Sequence, residues 1–422
     1  MRAPPFRIVL LMAGVLPACQ SHPGTEGRES VHQAVTGVAA RTPRPTRPDS
    51  VRALYVNGWA AGSRARMRSL LELAEATEIN AFVIDVKESD SFLVYDSTSI
   101  ALAKEIGADR RPVSRWLPEL LDTLRARGIY PIARIVVFKD PLLAERRPDL
   151  AIQRSDGSVW RDAKGVAWVN PYHPTVWSYN VAIAREALAM GFAEIQWDYV
   201  RFPDVPATVR RSLVFPGARG VAREDNIVGF LRYTRQRLPG VPITADVFGM
   251  ATHVPGDVGI GQRWEKIVTA VDVVLPMVYP SHYYPGMYGF AHPAAHPYAV
   301  VRMALEDAQV RARAVARQGV KVATIMPWLE AQTADWLRPR VPYGPAELRA
   351  QIQAVYDAGL KDWALWSARS DYERFRPALR PAAGGPSLLE RTGWRAPRFV
   401  IPRERLSVVV RALEADSVRG AP

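Results

Sequence analysis

The chain has 422 residues, 48% hydrophobic and 23% charged, enough apolar side chain for one large or two ordinary domains and too much for global disorder. Its formal net charge is +13, mostly arginine. That sign would suit nucleic acid or an anionic surface. The basic residues, however, are dispersed along presumed helix faces, and no zinc-finger or helix-turn-helix signature is present. An arginine-rich solvated surface is therefore expected, and a nucleic-acid partner is not.

The chain opens with Arg2 and Arg7 and an apolar run over 8–16 that is too short to span a bilayer. Leu16-Pro17-Ala18-Cys19 follows, and Cys19 is the only cysteine, so no intrachain disulfide can form. The segment resembles a bacterial lipoprotein signal, in which this cysteine is lipidated and becomes the mature N-terminus. Leu16 and Ala18 fit that pattern. Pro17 is unusual in it, which keeps plain secretion as the alternative. Gln20, where Asp would signal inner-membrane retention, points to the outer membrane. Residues 1–19 are thus read as a signal and 20–49 as a linker, with Thr42-Pro43-Arg44-Pro45-Thr46-Arg47-Pro48 a stiff extended spacer. Membrane contact is expected through the lipid anchor only.

From residue 51 short apolar runs alternate with longer amphipathic stretches. Strands are expected over 51–57, 81–87, 129–137, 193–199, 242–248, 272–279, 321–328 and 363–367. Helices are expected over 64–77, 114–127, 175–190, 224–238, 264–270, 297–318 and 346–358. Several helices run into a glycine just before the next strand, at Gly128, Gly191, Gly319 and Gly359, as left-handed helix ends require. About eight strands in strict alternation over roughly 320 residues predict a (β/α)8 TIM barrel over 50–378. A doubly wound sheet would show a Gly-rich phosphate turn after its first strand, and Asn57-Gly58-Trp59-Ala60-Ala61-Gly62 is a poor one. The long segment 140–174 carries Asp156-Gly157, a hairpin-like turn, and predicts a small β insertion after strand 3 over the barrel mouth. Residues 379–422 form a C-terminal extension, with one further helix expected over 404–414.

Active sites of TIM barrels lie at the C-terminal strand ends. Residues two apart on a strand share a face. Asp85 and Lys87 therefore should point together, as should Gln196 and Asp198, Thr244 and Asp246, and Met277 and Tyr279. Four strands each end in a polar or functional group, which a purely structural role does not predict. Glycoside hydrolysis needs two carboxyl groups across the scissile bond. Asp198 and Asp246, on neighbouring strands, are the natural pair. Asp85 is a third carboxylate or the partner of Lys87. Arg134 or Arg201 can keep Asp198 ionised. Tyr279 can hydrogen-bond a sugar hydroxyl. Trp59, Trp328 and Trp366 lie near the ends of the first, seventh and eighth strands, where rings can stack on sugars or simply pack the core. Asn57 and His282, also near strand ends, complete the expected substrate contacts. His292-Pro-Ala-Ala-His296 has helical spacing, but its prolines and lack of a partner glutamate argue against a metal. No metal or cofactor is expected. No Gly-x-Ser-x-Gly elbow or Cys-His pair is present.

At these residues the chain resembles a bacterial family of putative glycosyl hydrolase domains. The matching stretches are Val83-Ile84-Asp85-Val86-Lys87, Glu194-Ile195-Gln196-Trp197-Asp198-Tyr199-Val200-Arg201-Phe202-Pro203, Ala245-Asp246-Val247-Phe248-Gly249, Pro276-Met277-Val278-Tyr279-Pro280-Ser281-His282-Tyr283 and Pro327-Trp328-Leu329. The resemblance runs over 51–372 and implies a glycosidase-like TIM barrel without a settled substrate. Ser367 stands where the family usually has Asn. More distantly, the fourth strand is similar to the chitinase-type signature, with Asp198 at its last Asp and Met277-x-Tyr279 echoing the sixth-strand motif. Val200 then occupies the chitinase acid position and cannot donate a proton, so Asp246 is the expected acid. The reading is a cell-envelope glycoside hydrolase acting on a polysaccharide or glycan. The alternatives are a non-catalytic glycan-binding barrel and, more remotely, a binder of anionic polymers.

Overall fold

Among the described residues, nine parallel strands, β1 (Arg52–Val56), β2 (Ala81–Lys87), β3 (Tyr130–Val136), β4 (Glu194–Asp198), β5 (Ile243–Phe248), β6 (Val273–Met277), β7 (Thr324–Ile325), β8 (Trp328–Glu330) and β9 (Trp363–Trp366), carry the fold. The computed structural model describes residues 44–401. The expected signal with Cys19, most of the expected linker and the expected helix over 404–414 lie outside the described residues. The strands pair in sequence order from β1 to β6, and β8 and β9 return to β1, closing the eight-staved barrel of a (β/α)8 fold. Seven helices alternate with the staves: α1 (Arg64–Ala76), α2 (Leu117–Ala126), α3 (Pro174–Met190), α4 (Arg223–Arg237), α5 (Trp264–Ile267), α6 (Pro297–Ala316) and α7 (Pro345–Asp357). No described helix is long and apolar enough to cross a membrane.

Period-2 alternation sorts the strand residues. On β2, Phe82, Ile84 and Val86 join the large outer core beneath the helices, while Ala81 and Val83 face the barrel axis with Ala53, Ile132 and Ala364. Helix boundaries follow their caps: Ser63 Oγ accepts from Arg66 N at the start of α1, and Gly359 ends the α7 turn at φ 75°.

The seventh stave differs from the single strand expected over 321–328. It is two short pieces, β7 bonded to β6 and β8 bonded to β9. Pro327 sits at the break and has no N–H to donate, although its carbonyl still accepts from Ala364 N at 3.0 Å.

The insertion after β3 opens with a helix, Pro141–Arg146, and then makes two tight turns. The first is at Asp156-Gly157, closed by Arg154 N donating to Ser158 O at 2.8 Å. Its pairing consists of isolated antiparallel bridges (Gln153 with Val159, Arg161 with Ala167, Ala151 with Val169) rather than continuous strands. Ile152, Trp160 and Trp168 form a separate apolar cluster that packs on Tyr199, just beyond the end of β4.

At the opposite, N-terminal end Arg47 reaches into the barrel floor. Its guanidinium lies 3.2 Å from Glu194 and 3.1 Å from Asp362, and Tyr130 also donates to Glu194. Burial pushes the Glu194 carboxyl up to about 7, against the pull of Arg47.

Candidate active site

The inward positions at the C-terminal strand ends surround a cavity of about 520 Å³. Arg134 comes from the β3 stave, Asp198 from β4, Asp246 and Phe248 from β5, Met277 from β6, Trp328 from β8 and Trp366 from β9. Tyr279, His282 and Tyr283 follow β6, and Tyr199, Arg201 and Asp204 follow β4. Convergence of side chains from six staves is a direct product of the alternation.

Arg134 organises one half of the site. Its Nε donates to Asp198 Oδ2 at 3.0 Å, Nη2 donates to the same oxygen, and Nη1 donates to Asp85. Tyr55 Oη donates to the other Asp85 oxygen at 2.5 Å. Burial opposes the charge of Arg134, but Asp85 and Asp198 outweigh it and its pKa is raised. Burial raises the Asp85 carboxyl despite Arg134. Tyr199 has φ 50°, a left-handed conformation that disfavours a non-glycine residue by roughly 1–3 kcal/mol. Its N–H donates to Asp198 Oδ1 at 2.5 Å. Both oxygens of Asp198 are thereby held.

Asp246 is held differently. Gln196 Nε2 lies 2.9 and 3.0 Å from its two oxygens, and Trp328 Nε1 donates to Oδ1 at 2.7 Å. Gln262 fixes the backbone, donating to Asp246 O at 3.1 Å and accepting from Phe248 N at 2.8 Å. Asp246 is 1% exposed. Burial and the nearby charge of Asp198 push its carboxyl well above the usual range, against Arg134 and the two side-chain donors. Oδ2 receives only the shared Gln196 donor, whereas Oδ1 also receives Trp328.

Aromatic side chains complete the wall. Trp366 stacks on Tyr55 at 4.1 Å between centroids, and its ring lies 5.4 Å from the Arg134 guanidinium. Tyr279 lies against His282, with centroids 5.2 Å apart. Burial and then Asp246 raise the Tyr279 hydroxyl well above its ordinary pKa, so it remains a donor. Burial lowers the His282 pKa and favours the neutral ring. Behind it, Ser281 Oγ lies 3.0 Å from His282 Nδ1 and donates to Glu330 Oε1 at 2.6 Å. Among the described residues no three His, Cys, Asp or Glu side chains converge as metal ligands.

The model of the family described as "Putative glycosyl hydrolase domain" matches residues 53–372. The chain belongs to this family. Among solved structures, the PgaB (BpsB) glycoside hydrolase domain from Bordetella bronchiseptica aligns at 12% identity over 78% of this chain and 99% of its own, with a TM-score of 0.56. Alpha-L-fucosidase isoenzyme 2 from Paenibacillus thiaminolyticus aligns at 14% identity over 78% of this chain and 48% of its own, with a TM-score of 0.50. A hypothetical protein from Ruminiclostridium thermocellum is 39% identical over 46% of this chain and 97% of its own, with a TM-score of 0.43. No curated protein matches the chain. Family and fold together are glycosidase-like.

Within this glycosyl hydrolase barrel, Asp198, Asp246, Arg134, Arg201, Tyr279, His282, Trp328 and Trp366 line one cavity. Four other expected contacts lie elsewhere. A register slip between Asp85 and Lys87 turns the fully buried Lys87 outward, 2.7 Å from Asp140 and 5.1 Å over the Tyr179 ring of α3. Asp85 does face inward but is sealed beneath Arg134, a brace rather than a substrate contact. Asn57 is a helix cap: its Oδ1 accepts from Ala60 N at 2.8 Å and its Nδ2 donates to Ala368 O at 2.9 Å. Trp59, 73% exposed, borders a separate open depression with Arg110, Arg111, Arg115 and Trp116. Trp328 lines the cavity, but its indole N–H is committed to Asp246. The sequence reading missed Gln262, Asp204, Phe248, Tyr283 and Glu330. Glu330 was within reach of the two-residue rule, because it follows Trp328 by two on β8.

Proposed function

We propose that this barrel hydrolyses a glycosidic bond, with Asp246 as general acid and Asp198 as the partner carboxylate acting as nucleophile or as base on water. One observation carries the reading: two carboxyl groups from adjacent staves share a cavity, and their surroundings differ in kind. Asp198 is paired with a guanidinium. Asp246 is buried beside that carboxylate and pushed towards its protonated form. Two titratable groups driven apart by environment suit acid and base roles on one bond. Protonation of the leaving oxygen by Asp246 would be matched by attack from the Asp198 side, while Tyr279, His282 and Trp366 would orient the sugar.

The test is release of reducing ends from a panel of envelope polysaccharides. Asp198→Asn and Asp246→Asn are each expected to lower turnover by on the order of 10²–10⁴-fold. Variants that cut like the wild type would refute the assignment. A wild type that binds a glycan and never cuts it would instead establish the binding-module alternative. We further propose that the chain works in the cell envelope, anchored by lipid on Cys19. Fatty-acid labelling that survives Cys19→Ser would overturn that anchor.

A further inference from the structure

The cavity holds two guanidinium groups whose situations are opposite. Arg134 is saturated by Asp85 and Asp198. Arg201 is 9% exposed and lines the same cavity, yet no carboxylate lies within 4.0 Å of it among the described residues. Among the described residues its one hydrogen bond runs from Nη1 to Phe202 O at 2.9 Å. Three aromatic rings enclose it, with centroids 5.0 Å (Trp168), 4.9 Å (Tyr199) and 4.7 Å (Phe248) from Cζ. Burial lowers its pKa, and the more distant charges of Asp198, Asp204 and Asp162 do not offset this. Ring faces ease the loss of water around a cation but do not replace a counter-ion. A second cation, Lys139, lies 4.9 Å over the same Tyr199 ring.

We propose that Arg201 is the anion-reading residue of the pocket and that the glycan it takes carries an acidic substituent, a carboxylate or a sulfate, on the sugar seated beside Asp198. The proposal rests on the cavity being a sugar site. A neutral hydroxyl could accept one bond from the guanidinium but would leave its charge uncompensated. A carboxylate or a sulfate accepts the free donors through two of its oxygens, in the fork geometry that arginine offers, and supplies the missing charge. The aromatic cage holds the fork rigid, and the insertion after β3 contributes one wall of it through Trp168.

Binding is measured by calorimetry on the full chain with two matched pairs: oligogalacturonides against their carboxyl-reduced forms, and dextran sulfate oligosaccharides against dextran. The wild type is expected to hold at least one acidic member roughly ten-fold tighter than its neutral counterpart, and which pair responds separates carboxylate from sulfate. Arg201→Gln should bring the responding pair to near equality, and Arg201→Lys should keep part of the difference. Equal binding, or none, of acidic and neutral members by the wild type would overturn the proposal without any variant having to fold. So would a preference that persists in Arg201→Gln but disappears in the Arg111→Gln/Arg115→Gln pair, since the outer depression beside Trp59 would then be its source. Reducing-end release is scored separately. Cleavage without acidic preference would leave the hydrolase standing and the subsite refuted, and acidic preference without cleavage would do the reverse.

Discussion

Replacing Lys87 by Met tests whether this lysine belongs to the substrate or to the fold. Lys87 and Asp140 are both fully buried, and Nζ lies 2.7 Å from Oδ2. Removing the cation leaves Asp140 buried without a counter-charge, which costs about 3–5 kcal/mol. That is a large part of the roughly 5–15 kcal/mol by which domains are stable. Asp140→Asn alone strands the lysine instead, while its Oδ1 still caps Pro141–Arg146 by accepting from Leu143 N. The double variant Lys87→Met/Asp140→Asn removes both charges and keeps a good capping residue, so it should recover most of the loss. Urea denaturation followed by circular dichroism on all four proteins gives the coupling. The reasoning fails if Lys87→Met unfolds at the wild-type urea concentration and instead loses glycan binding.

Trp328→Phe keeps an aromatic side chain but removes a donor to the charged form of Asp246, so the Asp246 pKa should rise further. The basic limb of the pH–rate profile then moves to higher pH, and an unmoved limb would show that Asp246 is not the acid. A methyl added at Gly249 would lie 2.5 Å from Met277 O and 2.6 Å from Tyr283 Oη, so Gly249→Ala should cost about 1–3 kcal/mol by urea denaturation and loosen the pocket floor. The Glu330 carboxyl is raised by burial from 4.5 to about 7. The native state therefore binds more protons than the unfolded chain between those values, and this group's contribution is full below the lower value and lost as pH rises through the higher. The wild-type melting temperature should fall more steeply than that of Glu330→Gln between about pH 5 and about pH 8; parallel curves would show that Glu330 does not titrate there.

The barrel was legible because its signals are local and repeated: eight apolar runs, helices between them, glycines at their ends. The site was legible where alternation held. Counting by two from Asp198 and Asp246 found inward residues because β4 and β5 are regular to their ends, and Tyr279, just past the end of β6, still faces the cavity. Counting by two failed on β2, where one irregular residue sent Lys87 to the helix layer, and nothing in Asp85-Val86-Lys87 marks the slip. Asn57 carried a signal that was given the wrong meaning, since asparagine before a short helix is first a cap. Tyr199 illustrates a deeper limit. Its left-handed backbone is imposed by the tertiary setting, against the preference of its own side chain, and only coordinates reveal it.

The arginine lodged in the barrel floor has a mechanical consequence. Arg47 ties the start of the described chain to Glu194 and Asp362, at the pole farthest from the mouth. Any tether drawn through residue 44 would therefore pull on the base of the barrel. The opening of the cavity lies at the other end of the barrel from that entry point. Tension on the line would load two carboxylates in the foundation, at the pole opposite Asp198 and Asp246.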